Sequence, residues 1–419
     1  MKVVWISDSV FSVDPINSTG GWRLPLALGL ANSGKVQLYN IAHGRHKSGV
    51  TKNKFGGIVQ YAIPKYKRGD HRFYKYEPKW SCEMIAGILD EIKPDVVHFW
   101  GTESRLCSVQ TCGYIKYPCV IDIQGLFSSY YYYYYGGLSP MDIFKSTVNL
   151  FSLFHGGRSP YKGMRNFKAH GKWEETVLKS FKHISVQSCW VEEQISSFYP
   201  NANFHYTGIA LRKEFCESEQ WMPHYNRTSP VLYSSAANYV QPYKGLLVLL
   251  KALSIIKRTY PDAILRLAGH LSLRSSLIQH GYKALLIRFI KNNHLEENVQ
   301  FLGPLEAHDI VRELQNADVC IVPSFIETYC LAAAESMIVG CPTICSYAGA
   351  MPELAIDGDE AVYYTSCDYK SLAYRTQSLF KNKEFCIGMG AKARAKHMKE
   401  HNMLLLVNNQ IKIYKDIVG

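Results

Sequence analysis

Among its twelve cysteines the 419-residue chain has no CxxC pair and no Cys/His cluster with zinc-finger spacing, which excludes a zinc-finger module. Most of these cysteines fall in apolar stretches, so buried free thiols in a reducing compartment are expected. The sequon at Asn226-Arg227-Thr228 then carries no glycan. No stretch reaches the ~18 apolar residues of a membrane span, and the opening MKVVWISDSVF has too short an apolar run for a secretory signal. A cytosolic protein is expected. No DxD-like pair occurs in a metal-binding context, so neither Mg²⁺ nor any other cofactor is anticipated. There is no evident internal repeat, and no recognised nucleic-acid motif accompanies the basic charge.

Apolar residues make up 47% and charged residues 20% of the chain, the balance of a globular protein, and the length predicts two or three domains. The net charge of +12 is uneven, with 26 Lys+Arg against 18 Asp+Glu in residues 1–221. The excess concentrates in KYKRGDHRFYKYEPK (65–79) and in residues 145–182, both interleaved with aromatics. Such segments suit an anionic membrane surface or a lipid diphosphate, and equally a nucleic acid backbone or a solvated face.

Both halves alternate short apolar runs with amphipathic stretches, the pattern of parallel sheets crossed by helices. Strands are expected near 2–7, 36–42, 57–63, 95–99, 118–123 and 183–187, then near 231–235, 263–268, 298–302, 318–323, 342–346 and 361–364. Residues 217–230 are polar with two prolines, a linker composition. The expected division is a first domain over 1–220, a linker over 221–230, a second domain over 231–400, and a C-terminal helix over 401–419 packing back toward the first. Two Rossmann-like domains facing one cleft are the economical model, since open α/β sheets bind ligands beyond the carboxyl ends of their strands. One low-complexity run, SSYYYYYYGG (128–137), fits neither a one-sided strand nor a one-sided helix. Its rings either face a sugar or lipid, or pack in a domain or oligomer contact.

In SFIETYCLAAAES (324–336), two carboxylates, Glu327 and Glu335, bracket a small, apolar middle. On a helix, eight steps would leave them roughly 12 Å apart and turned by about 80°, too far to share one proton. The preceding ADVCIVPS reads as a buried strand, and LAAAESMIV before Gly340 as a short helix. The N–H groups of Thr328, Tyr329 and Cys330 would open that helix and favour phosphate oxygens. Acids on either side of a phosphate site call for hydroxyl-bearing groups at both ends of the ligand, which describes a nucleotide sugar. A capping or solvated acid is the competing reading for each glutamate alone.

The segments NYVQPYKGLLVLLKAL, LRLAGH and VQFLGPLEAHDIVRELQNADVCIVPSFIETYCLAAAESMIVGCPTICSYAGAMPEL resemble the nucleotide-sugar domain of glycosyltransferase family 4, a retaining, metal-independent family of GT-B architecture. Residues 1–34 and 95–126 resemble its acceptor domain more weakly, and residues 183–215 resemble bacterial surface-polysaccharide members. The resemblance implies that Glu327 lies near the donor sugar hydroxyls, Glu335 on the ribose, and Lys244 on the diphosphate. It places Thr328, Tyr329, Cys330 and Gly269 in the donor site, and Gly20 and Gly21 in a glycine-rich acceptor or phosphate loop. Gly349 and Glu353 match a later glycine/glutamate turn.

Three positions depart from the family pattern. Asn238 stands near the place of a usual arginine, Cys330 replaces a common glycine, and Gln124 replaces a histidine. A glutamine cannot act as a general base at neutral pH, which agrees with the implied mechanism, in which the departing phosphate deprotonates the acceptor. The implied function is transfer of a sugar to a lipid-linked or polysaccharide acceptor in bacterial surface-glycan synthesis, at the inner membrane face, with no nucleic-acid partner. The alternatives are a nucleotide-sugar epimerase of similar shape, with His98 as its best acid/base candidate, and a non-catalytic basic nucleic-acid-binding protein.

Overall fold

Twelve apolar runs form strands within one residue of their expected limits, and among the described residues two further strands appear at sheet edges. The computed structural model describes residues 1–12, 22–44, 48–65, 75–147, 159–236, 239–269 and 281–419. The chain divides into two units, one made of Met1–Ser129, Lys168–Arg212 and Glu400–Gly419, the other of Tyr130–Phe167 and Lys213–Lys399. Residues 130–167, expected within a domain running to 220, therefore pack with the second half of the chain.

The first unit holds β1 (Lys2–Ile6), β2 (Gln37–His43), β3 (Thr51–Phe55), β4 (Ile58–Ile63), β5 (Val96–Trp100), β6 (Cys119–Asp122), β7 (His183–Val186) and β8 (Asn203–Tyr206). Their order across the sheet is β3-β4-β2-β1-β5-β6-β7-β8, parallel except for β3 against β4. The unexpected strands are the two edges. TKNKF of β3 is mostly exposed and NFHY of β8 has no buried residue, so neither carries the apolar run by which a strand is recognised.

In β1 the run KVVWI is buried on both faces, as in a sheet covered on both sides. Val4 and Ile6 join Val97, Phe99 and Ile121 beneath the helix Lys79–Ile92, whose Cys82, Ile85, Leu89 and Ile92 recur at helical spacing. Trp5 belongs to an aromatic cluster with His98 and Trp100. The helix Met403–Val418 inserts Tyr414 there. The Tyr414 hydroxyl accepts from Trp5 Nε1 at 2.9 Å and lies 2.8 Å from His98 Nδ1.

The second unit holds β9 (Val231–Ser235), β10 (Ile264–Ala268), β11 (Val299–Gly303), β12 (Val319–Val322), β13 (Thr343–Ser346) and β14 (Val362–Tyr364), all parallel, in the order β11-β10-β9-β12-β13-β14. Chain order reverses between β1 and β5 in the first sheet and between β9 and β12 in the second. Loops leaving the carboxyl ends of those strand pairs diverge, and ligands bind in the crevice left at such points.

Replacing Tyr414 by Phe leaves the buried Trp5 N–H unpaired, at a cost of about 1–3 kcal/mol. Chemical denaturation of the two proteins, compared at unchanged slope, is expected to show that loss.

Candidate functional site

In the second unit the loops after β9 and β12 meet. The first makes a tight turn, Pro242–Lys244, followed by Gly245 at φ +73°. A side chain on Gly245 would collide with the Pro323 carbonyl oxygen, so glycine lets this turn lie against the loop from β12. Phe325 N–H donates to the Tyr243 carbonyl at 2.7 Å, and Lys244 Nζ reaches Glu327 Oε1 at 2.6 Å. Both side chains of this pair are largely buried. Burial alone would lower the lysine's pKa, but the Glu327 charge and hydrogen bond outweigh it and hold the ammonium above the usual lysine range. Lys244 is a fixed cation.

The main chain of Glu327 is anchored through its carbonyl, which accepts from Ala350 N–H at 2.9 Å after the Gly349 turn. The helix begins at Leu331, the first residue of the LAAAESMIV run, and Cys330 before it sits at φ +93°, ψ +82°. Thr328 and Tyr329 thus belong to the loop. Ala334 N–H bonds the Cys330 carbonyl, so the helix-opening N–H groups are those of Leu331 and its successors. The spacing of about 12 Å assumed a helix throughout and does not apply. A β-carbon-bearing residue with this φ costs about 1–2 kcal/mol, which gives a reason for the glycine that the family pattern has here.

Glu335 is the fifth residue of the helix Leu331–Val339 and is buried near Tyr233 of β9 and Cys320 of β12. Gly269, after β10, donates its N–H to the Gly303 carbonyl at 2.8 Å and lies against Ala236, the first residue beyond β9. Lys244, Glu327, Thr328, Cys330, Glu335 and Gly269 thus lie on or beside the segments that leave the carboxyl ends of β9, β10 and β12, while Glu353 is exposed. Gly20, Gly21 and Asn238 lie outside the described residues.

Gln124 belongs to the first unit, two residues beyond β6. Beside it is a carboxyl that sequence reasoning missed. Glu103, just beyond β5, seats its oxygens against Gly101 and Gly125, where added side chains would meet them. Burial, with Glu174 and Asp8 nearby, raises its pKa to about 8. Glu174 accepts from the Thr102 hydroxyl and from Ser128 N–H, the latter at 2.8 Å, and burial raises it to about 7. Asp122 is fully buried, which raises its pKa, and it accepts from Gln187 Nε2 at 2.6 Å. Arg23 pairs with Asp8 on the loop from β1. No spacing links Glu103 to Glu174 in the chain; the only cue was that Glu103 follows a strand at the sheet's switch point.

His98 has no place in a reacting centre. It is fully buried, stacked 4.3 Å from Trp100 and bonded to Tyr414, and burial lowers its pKa to about 3. It is a neutral core residue.

Residues 226–396 match the family model of glycosyl transferases group 1. The matched stretch spans β9 to β14. The chain is 29% identical over 176 residues to an uncharacterized glycosyltransferase, YqgM, of Bacillus subtilis, covering 42% of this chain and 46% of that protein. It is 30% identical over 125 residues to the D-inositol 3-phosphate glycosyltransferase of Corynebacterium diphtheriae, covering 29% and 28%. The chain spans less than half the length of these curated relatives. Its fold is shared with sucrose-phosphate synthase from Thermosynechococcus elongatus, at TM-score 0.70 and 14% identity over 99% of this chain and 98% of that one. Anabaena Alr3699/HepE, solved in complex with UDP and glucose, superposes at TM-score 0.65 and 14% identity over 99% of both chains. The two Rossmann-like sheets of this chain thus share the GT-B fold of these structures. Lys244, Gly269, Glu327, Thr328, Cys330 and Glu335 all fall within the matched residues 226–396.

The carboxyls of the first unit set a pH dependence. Glu103 and Glu174 keep their protons in the fold at pH values where the unfolded chain, titrating near 4.3, has lost them. The fold therefore binds more protons, and stability falls as pH rises from about 5 toward 8. Glu103→Gln is expected to flatten part of that fall, so that the variant matches or exceeds the wild type at pH 9. Thermal midpoints measured across this range check it.

Proposed function

We propose that the protein is a retaining glycosyltransferase that moves a sugar from a nucleoside diphosphate to a hydroxyl of a lipid-linked or growing surface glycan, without a metal ion. The observation that carries this reading is the Lys244–Glu327 pair, poised at the β9/β12 switch point beside the N-terminus of the helix Leu331–Val339. Lys244 and the open helix N–H groups would take the charge that grows on the diphosphate as it leaves. Glu327 would meet the sugar hydroxyls and Glu335 the ribose.

In the reaction, the bond from the anomeric carbon to the phosphate oxygen breaks and a bond to the acceptor oxygen forms on the same face. The acceptor proton goes to the departing phosphate. Gln124 can hydrogen-bond a hydroxyl but cannot take that proton. Glu103, protonated near neutral pH, can donate to an acceptor hydroxyl, and this acidic surrounding disfavours an anionic group at that point.

Contact with an anionic membrane face is supported by exposed Met141 and Phe144 together with Lys145, Lys162 and Arg165. Among the described residues no helix is long and apolar enough to cross a membrane.

The test is calorimetry of the full chain against a panel of nucleoside diphosphates and their sugars, beginning with UDP and in the presence of a chelator. Lys244→Ala and Glu335→Ala are each expected to weaken binding by about 10- to 100-fold, the range for hydrogen bonds to charged groups. A panel without any ligand, or variants that bind like the wild type, would sink the proposal.

A further inference from the structure

The chemistry proposed above leaves six consecutive tyrosines, 130–135, without a task. They are not equivalent. Tyr130 and Tyr134 are 9% and 5% exposed, whereas Tyr132 is 72% exposed. The helix Phe127–Tyr133 carries Tyr130 and ends just before Tyr134, and both rings pack on Tyr243.

Both tyrosines lie on the two loops that carry Lys244 and Glu327. The Tyr130 phenol is hydrogen-bonded to Thr328, the residue after Glu327, and its ring centre is 5.6 Å from that of Tyr243. Tyr134 donates its hydroxyl to Gln241 Oε1 at 2.9 Å, at the start of the Lys244 turn, and its ring centre is 6.0 Å from that of Tyr243. The face of Tyr243 in turn holds Lys244 Nζ, 5.5 Å from its centre.

The backbone that follows comes equally close. Gly136, at φ +53°, leaves no room for a side chain against the Pro242 carbonyl, and one on Gly137 would press on Phe325 and Cys367. Both arms of the ion pair are therefore gripped by one segment that lies outside the matched residues 226–396. Each arm by itself is a turn or loop, and a few tenths of an ångström at either would change a 2.6 Å contact between charges.

We propose that Tyr130 and Tyr134 are positioning residues for the Lys244–Glu327 pair, acting through Thr328 and Gln241. This rests on the reading of that pair as the diphosphate site. Within the run, the buried tyrosines set the geometry of the site and the exposed ones do not.

Three variants separate the roles: Tyr130→Phe and Tyr134→Phe each remove one hydroxyl and keep the ring, and Tyr132→Phe is the exposed control. Lysines of the full chain are labelled with an amine-reactive reagent and read one by one by mass spectrometry. Lys244 is expected to label about three- to ten-fold faster in Tyr130→Phe and Tyr134→Phe, the range set by the loss of one hydrogen bond. Lys251 and Lys392 should label at wild-type rates, and Tyr132→Phe should change nothing. Calorimetry with the nucleoside diphosphate that the wild type binds should show a parallel loss in the first two variants only.

A rise spread evenly over all lysines marks general loosening and overturns the proposal, as does unchanged Lys244 labelling in both variants. Gly136→Ala, which drives a methyl group into the Pro242 carbonyl, provides a second arm. Wild-type labelling of Lys244 there also overturns it. Should the wild type bind no nucleotide, the diphosphate reading fails, while Lys244 labelling still decides the positioning role.

Discussion

Lys244 and Glu327 come from loops that leave neighbouring strands of the second sheet, and their ion pair ties those loops together at 2.6 Å. A buried pair of this kind adds little net stability, because two charges must be taken out of water, yet losing either partner strands the other charge. Its value lies in placement. The lysine is kept charged by its neighbour, and an anion arriving beside it meets a donor that is already oriented and desolvated. The Gly245 turn, the Phe325–Tyr243 backbone bond and the anchored Glu327 carbonyl all serve that placement.

Cys330 shows the other side of the same constraint. Between an anchored Glu327 and a helix starting at Leu331, the chain must turn sharply, and it does so through a left-handed residue that is not glycine. Strain of this kind persists where surrounding contacts over-determine the backbone. Here those contacts are the Ala350–Glu327 bond on one side and the Ala334–Cys330 bond on the other.

The two units handle charge in opposite ways. In the second, a lysine is held protonated and paired with a carboxylate. In the first, burial raises the pKa values of Glu103, Glu174 and Asp122 with few cations to offset it. A fixed cation suits a diphosphate, and protonated carboxyls suit neutral hydroxyl groups. Lys244 and Glu103 both follow strands at the points where the sheets reverse their order.

The sequence by itself determined the sheets and where several residues of the candidate site stand relative to their strands. Runs such as VVWI and VCIV can only be buried strands, and Gly245, Glu327 and Glu335 lie at fixed distances along the chain from such strands, so local pattern places them. Edge strands β3 and β8 escaped because an edge has one neighbour and little to bury. The left-handed turn at Cys330, which leaves Thr328 and Tyr329 in the loop, escaped because positive φ at a cysteine is imposed from outside the segment. Only tertiary structure decided that Lys244 meets Glu327 across 83 residues and that Glu103 stands near Glu174. The same holds for the docking of residues 130–138 on the second unit and not on the unit of their own strand β6. Such contacts carry no periodicity, since they follow from how strands are ordered in space and not from spacing along the chain.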